Sequence, residues 1–312
     1  VIVKRNLSPG KVLGYIWRPL AIAVGASVIA LALRRTIDGD RAQVPFAPVG
    51  TLGAAVAIFV AFRNNASYAR WWEARTLWAT IHNSARILAR QIVASTDNAL
   101  AAGTGGTSDE VLAFRTEQIH RVIAFAHATC TALRGTQDWS DAERFLPNDE
   151  TGRLAGAASA PNLVLQRLGV RLKDGVRSQI VGQFDPITLE PNLAALNGAL
   201  ASAERIKHTP TPRQYDYFTR VAVLAFAIVL PFGLASVVPT SQDLLVPLLT
   251  VIVAGVFVVL ERVGAVIDAP FENATTDIPM TAICRAIERD LLEQLGSTTL
   301  PPPLEPVDGY LW

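Results

Sequence analysis

Residues 51–90 read TLGAAVAIFVAFRNNASYARWWEARTLWATIHNSARILAR. The run up to Phe62 is apolar and uncharged, and the residues beyond it are charged, aromatic and rich in helix formers. No proline or turn-type glycine separates the halves, which predicts one long helix that begins in lipid and continues into water. Ala54, Ile58 and Phe62 recur every four residues and so stand above one another on one helix face. Gly53, Ala54, Ala55 and Ala57 are small enough for another helix to approach closely. On periodicity alone, Ile58 and Phe62 read as ordinary lipid or helix contacts. Beyond Phe62, Arg63, Arg70, Arg75, Arg86 and Arg90 outnumber Glu73, which places this half on the cytoplasmic side by the positive-inside rule. Trp71, Trp72 and Trp78 read first as packing residues for neighbouring helices.

Composition agrees with a membrane chain. Half of the 312 residues are hydrophobic and only 18% are charged, with a mean hydropathy of +0.30; such values favour a membrane protein over a soluble enzyme. A net charge of +1 implies no global polyanion partner. Working outward from the long helix, Pro19–Leu33, lengthened by Tyr15 to Trp17, predicts a first span able to cross roughly 30 Å of hydrocarbon. Tyr15 and Trp17 suit an interface, Arg18 can snorkel, and Lys4, Arg5 and Lys11 precede them. Arg34-Arg35 comes next with no small-residue cleavage site, so this segment is not read as a cleavable signal. Val221–Pro239, kinked at Pro231 and Gly233, predicts a third span. TSQD then forms a short outer loop, and Leu244–Leu260 a fourth span, which puts both termini in the cytoplasm of a multi-pass inner-membrane protein. The domain reading is residues 1–62 with spans one and two, 63–216 a helical cytosolic domain, 217–262 spans three and four, and 263–312 a C-terminal helix and tail.

Within the cytosolic part, Asp97–Thr107 reads as a loop, and Ser108 as the N-cap of a helix ending at Gly135. Pro161–Ile180 and Pro191–Ile206 read as two further helices joined by a tight connector. Asp277 reads as the N-cap of a helix that runs to Leu295 and stops at Gly296. The tail LPPPLEPVDGYLW is extended, either free or anchored through Tyr310 and Trp312. No segment has the period-two pattern of a strand, so the fold class is all-α.

Little here suggests catalysis. The sequence has no credible phosphate loop, dinucleotide fingerprint, HExxH or GxSxG, and no basic, aromatic-studded stripe beyond the juxtamembrane one, so no nucleic-acid partner is implied. Cys130 and Cys284 read as buried free thiols. His120 and His127 lie two turns apart on one helix with no acidic or cysteine partner at ligand spacing, so no metal or cofactor is expected. The four spans contain no interior Asp, Glu, Lys or His, which points to a pore constricted by hydrophobic side chains rather than a proton-coupled carrier.

Three blocks carry a resemblance: FRNNASYARWWEARTLW (Phe62–Trp78), ERIKHTPTPRQY (Glu204–Tyr215), and DAPFENATTDIP (Asp268–Pro279) followed by ICRAIE. Together they resemble the bestrophin family, specifically its bacterial branch, over essentially the whole chain. The resemblance implies a homopentameric channel in the lipid bilayer, with one pore on the fivefold axis and no enzymatic activity. It implies a pore neck at Ala54, Ile58 and Phe62, where Ala54 is smaller than the bulky apolar residue the family places there. It also implies a second, cytosolic constriction within residues 180–187, with Phe184 first, Ile187 next and Ile180 as the remaining candidate. Arg70-Trp71-Trp72 is the most specific block, implied to fix the neck helix against the cytosolic domain. The stretch matching the eukaryotic calcium clasp has Ala269 where a polar ligand would stand and lacks the acidic run, whereas calcium takes six or more oxygens; calcium gating is not implied. The bacterial branch implies monovalent cations such as sodium as the permeant ion, with chloride as the alternative. A non-conducting scaffold and a membrane-bound enzyme are the rival classes.

Overall fold

The computed structural model describes residues 1–4, 9–36 and 44–312. Arg5, most of the loop after Thr36 and the side chain of Lys11 lie outside the described residues. The helices are α1 (Pro9–Thr36), α2 (Phe46–Ala102), α3 (Ser108–Arg134), α4 (Ser140–Glu143), α5 (Ala160–Arg177), α6 (Pro186–His208), α7 (Arg213–Val237), α8 (Leu245–Ile267) and α9 (Met280–Gln294). Among the described residues there is no strand, only the isolated bridges Ile2–Tyr310 and Val307–Tyr310. The fold is all-α, as the patterning predicts. Two compact units use these elements: residues 4–71 with 210–269, and residues 1–3 with 72–209 and 270–312. At 57 residues, α2 is about 85 Å long, far more than a bilayer core needs.

The first unit holds α1, the start of α2, α7 and α8, and these four helices are each long and apolar enough to cross a membrane. Val49, Gly53, Val56, Val60, Arg63 and Ser67 are the buried positions of α2 here. They step by threes and fours, the spacing of a helix seam that keeps one face on its neighbours. The valines meet Ala23 of α1, Val223, Phe226, Ala227 and Leu230 of α7, and Val246, Ala254 and Val258 of α8. Gly53 is required by close approach: a Cβ there would stand 2.8 Å from the Phe226 ring, and one at Gly233 would stand 2.9 Å from Val49 Cγ2. In place of a plain outer loop, TSQD forms a 3-10 turn over Thr240–Gln242. Asp243, the next residue, binds Arg34 at 3.2 Å and Arg35 at 2.8 Å. Tyr15 and Trp17 are exposed, and the Arg18 guanidinium lies 5.5 Å from the Trp17 ring centre.

The second unit is built around α3, which packs on α4, α5, α6 and α9. Four local expectations are corrected here. The predicted loop at Asp97 is still helix: Ala99 is buried, Asp97 pairs with Arg115, and α2 stops only before Gly103, whose φ is +65°. The N-cap of α3 is Thr107 rather than Ser108, because Glu110 completes a capping box: Thr107 N–H donates to Glu110 Oε2 at 2.8 Å and Glu110 N–H to Thr107 Oγ1 at 3.3 Å. Helix α6 begins at Pro186 rather than Pro191, since a proline at the first position is already set to helical φ. Asp277 does not cap α9; its carboxylate accepts from the Ala274 N–H at 3.0 Å within the preceding turn, and burial pushes its pKa up. The tail is anchored. Tyr310 is buried, Leu311 N–H donates to the Val1 carbonyl at 2.9 Å, and Ala282 N–H donates to Trp312 O at 2.8 Å.

Candidate functional site

The buried seam of α2 fixes what its other face presents. Ala54, Ile58 and Phe62 all lie on the exposed side, with Ile58 57% and Phe62 71% accessible. One residue beyond Phe62 the chemistry changes. Arg63 is buried and donates from Nη1 to the Glu261 carbonyl at 2.6 Å, lies 3.6 Å from the Glu261 carboxylate, and pairs through Nη2 with Asp216. Arg220 lies 3.4 Å from Asp216 and 3.8 Å from Glu261. Two guanidinium and two carboxylate groups from α2, α7 and α8 therefore form a charge-balanced cluster. That balance allows Arg63 and Glu261 to be buried, since an isolated ion would carry a prohibitive desolvation cost. Glu261 lies just past the expected span Leu244–Leu260, in the part of α8 that continues to Ile267, and is buried there.

A second polar tier lies about one turn further along. Asn64 Nδ2 donates to the Leu260 carbonyl at 2.8 Å. Gly264 faces Asn64 so closely that a Cβ would be 1.9 Å from its Oδ1. Asp268 gathers Ser67 Oγ at 3.3 Å and Thr211 Oγ1 at 2.8 Å on its carboxylate and Arg70 Nε at 2.9 Å on its carbonyl. Arg70 thus belongs to this collar, Trp71 stacks on Tyr68 with ring centres 6.2 Å apart, and Trp72 is exposed. A cleft of about 190 Å³ opens beside Phe62 and Arg63, walled by Tyr215 and Pro212.

In the other unit the three constriction candidates separate. Ile180 is buried, its Cγ1 so close to Gly105 that a Cβ there would stand 2.7 Å away. Phe184 and Ile187 are 74% and 72% accessible. The turn that carries them is tied down: Asp185 accepts from Gly182 N–H at 2.9 Å and from Ser95 Oγ. Gln91 donates to the Thr188 carbonyl at 2.9 Å, and Asn192 donates to Gln91 at 3.0 Å. His120 and His127 flank the Phe145 ring, with centres 5.4 and 5.9 Å away, and His127 Nε2 is 3.4 Å from Glu288. Burial works against ionising Glu288, but nearby His127 and the charges of Arg144, which donates to it at 2.7 Å, and Arg285 outweigh it and hold its pKa below the usual value. Cys130 and Cys284 are both buried and free. No cluster of three or more metal-ligating side chains occurs among the described residues.

Four long apolar helices, an ion-pair collar at one end of three of them and a helical second unit define a polytopic membrane protein. The chain belongs to the bacterial and fungal bestrophin family: the family described as Bacterial/Fungal Bestrophin protein matches residues 5–293. A voltage-dependent anion channel-forming protein of Mesorhizobium japonicum is 30% identical over 287 residues, covering 91% of this chain and 85% of that protein. A protein of the same description from Escherichia coli is 31% identical over 264 residues, covering 85% of this chain and 81% of that one. Among solved structures, a bacterial bestrophin homologue from Klebsiella pneumoniae superposes with a TM-score of 0.81 at 28% identity, covering 93% of this chain and all of that one.

Proposed function

We propose that this chain forms a homopentameric ion channel of the bacterial inner membrane, both termini cytoplasmic, with a hydrophobic neck made by Ile58 and Phe62 of each copy. The observation that carries the reading is the face of α2: bulky apolar side chains stand out from the unit directly before the level where Arg63 begins the polar collar. A ring of such side chains conducts only when its dewetting is relieved. Ala54 lies one turn earlier and adds a wider, weaker ring. Phe184 and Ile187 form the second constriction in this reading; their exposure on a braced turn supports them over Ile180, whose side chain is committed to the core. Family membership and the relatives' names support a channel over an enzyme or a silent scaffold.

Two readings of the permeant ion stand beside each other, one resting on the relatives' names and one on the resemblance alone. The relatives from Mesorhizobium and Escherichia are named for anion channel formation, which puts a monovalent anion such as chloride first. The resemblance to the bacterial branch supports a monovalent cation such as sodium. Side chains of Ile and Phe offer no field of either sign, so the neck does not choose between them. Reversal potentials in planar bilayers under a sodium chloride gradient separate the two: the sign of the potential names the ion. Mass in detergent of five chains supports the assembly, and protein that passes no ion in either direction overturns the channel reading.

A further inference from the structure

In the second unit, the water-facing side of α2 and the start of α9 enclose a groove of about 450 Å³ that the channel reading does not use. Its walls are apolar on the α9 side, at Pro279, Ala282 and Ile283, while α2 contributes the polar side chains Arg75, His82, Asn83 and Arg86, with Trp78 between them. Trp78 is fully buried, yet its indole N–H has no acceptor among the described residues. An indole nitrogen is a donor only, so this group calls for an acceptor from outside the chain. Arg75 and Asn83 are exposed, and neither side chain forms an ion pair or hydrogen bond among the described residues. The carboxylate that bears on the site is Asp290, which takes His82 Nε2 at 2.8 Å and Arg86 Nε at 2.7 Å. It braces those two side chains and leaves Arg75 uncompensated. Ala282 also lines the groove, but its N–H is taken by Trp312 O, so the donors open to a ligand are side chains of α2. A second groove, sharing Arg86 and lined by Arg90, continues along the same helix.

We propose that this groove binds a small oxyanion, a phosphate group or a carboxylate, through the Arg75 guanidinium with Asn83 and the Trp78 indole N–H. Charge-assisted hydrogen bonds of this kind are shorter and stronger than neutral ones, and a guanidinium matches an oxyanion at two points. The site stands on the second unit's own geometry and is independent of whether the chain conducts.

The test titrates the purified full chain with orthophosphate, against sodium chloride at matched ionic strength, while following thermal unfolding and tryptophan fluorescence. The expected result is a saturable stabilisation and emission change with phosphate, about tenfold weaker in Arg75→Gln, an exposed position whose loss leaves the fold intact. Trp78→Phe keeps the ring and removes the N–H, and is expected to weaken binding as well. Succinate distinguishes a carboxylate ligand from a phosphate; saturable binding of either supports the site. A linear, non-saturating response shared by chloride, or equal affinity in wild type and Arg75→Gln, overturns it.

Discussion

Replacing Glu261 by alanine removes one of two carboxylates from a cluster whose other members are Arg63, Asp216 and Arg220. Arg63 and Glu261 have side chains only 7% and 8% accessible, so the surviving guanidinium stays in a poorly hydrated place. Breaking such a buried pair costs about 3–5 kcal/mol. Asp216, 34% accessible, still holds Arg63, which puts the expected loss near the lower end, about 3 kcal/mol. For a chain of this size that is a fall of roughly 4–5 °C in apparent Tm. Arg220→Gln touches a side chain that is 57% accessible and is expected to cost less than about 1 kcal/mol, because solvent screens it. The double variant Arg63→Met, Glu261→Leu replaces the pair with apolar groups and is expected to recover much of the single-variant loss, less about 1 kcal/mol for the bond Arg63 gives the Glu261 carbonyl. The assay is thermal unfolding in one detergent across wild type, Arg63→Met, Glu261→Leu and the double variant, read as a double-mutant cycle. A coupling near zero would refute the view that the collar is held by mutual neutralisation.

Single contacts yield further predictions. Gly264→Ala drives a methyl into Asn64 and is expected to lower stability by about 1–3 kcal/mol, with Asn64→Ala in the same chain restoring part of it; unfolding of the three variants checks this. Glu288 ionises more readily folded than unfolded, so its contribution is present above the ordinary glutamate pKa and is lost as pH falls through the lower folded value. The Tm gap between wild type and Glu288→Gln is therefore expected to be full at pH 7 and to close on acidification. Cys130 and Cys284 are expected to resist alkylation in the native protein and to take two equivalents after unfolding, by intact mass, since both are buried and free.

The long helix was legible in Thr51–Arg90 because no breaker interrupts it, and its seam is set by hydrophobic spacing. The neck was not legible in the same way: Ile58 and Phe62 have the periodicity of any exposed apolar stripe, and only the family resemblance gives that stripe a task. The collar escaped because its members are dispersed along the chain. Arg63 reads only as one of the basic residues after span two, and only the fold of α2, α7 and α8 brings it to Asp216 and Glu261. A signal existed all the same: span two ends, span three begins and span four ends on one side, so their terminal charges share a level. The corrected helix starts have a local cause. Ser108 is the better cap by type, but Glu110, three residues past Thr107, completes a capping box with Thr107 and decides between them.

The most direct test of the proposed neck is ion flux through the Ile58→Ala, Phe62→Ala double variant in liposomes, beside wild type at equal reconstitution. If those side chains form the barrier, widening it raises flux several-fold and leaves the assembly's mass unchanged. Flux indistinguishable from wild type in a correctly assembled protein would contradict the assignment of the neck to α2.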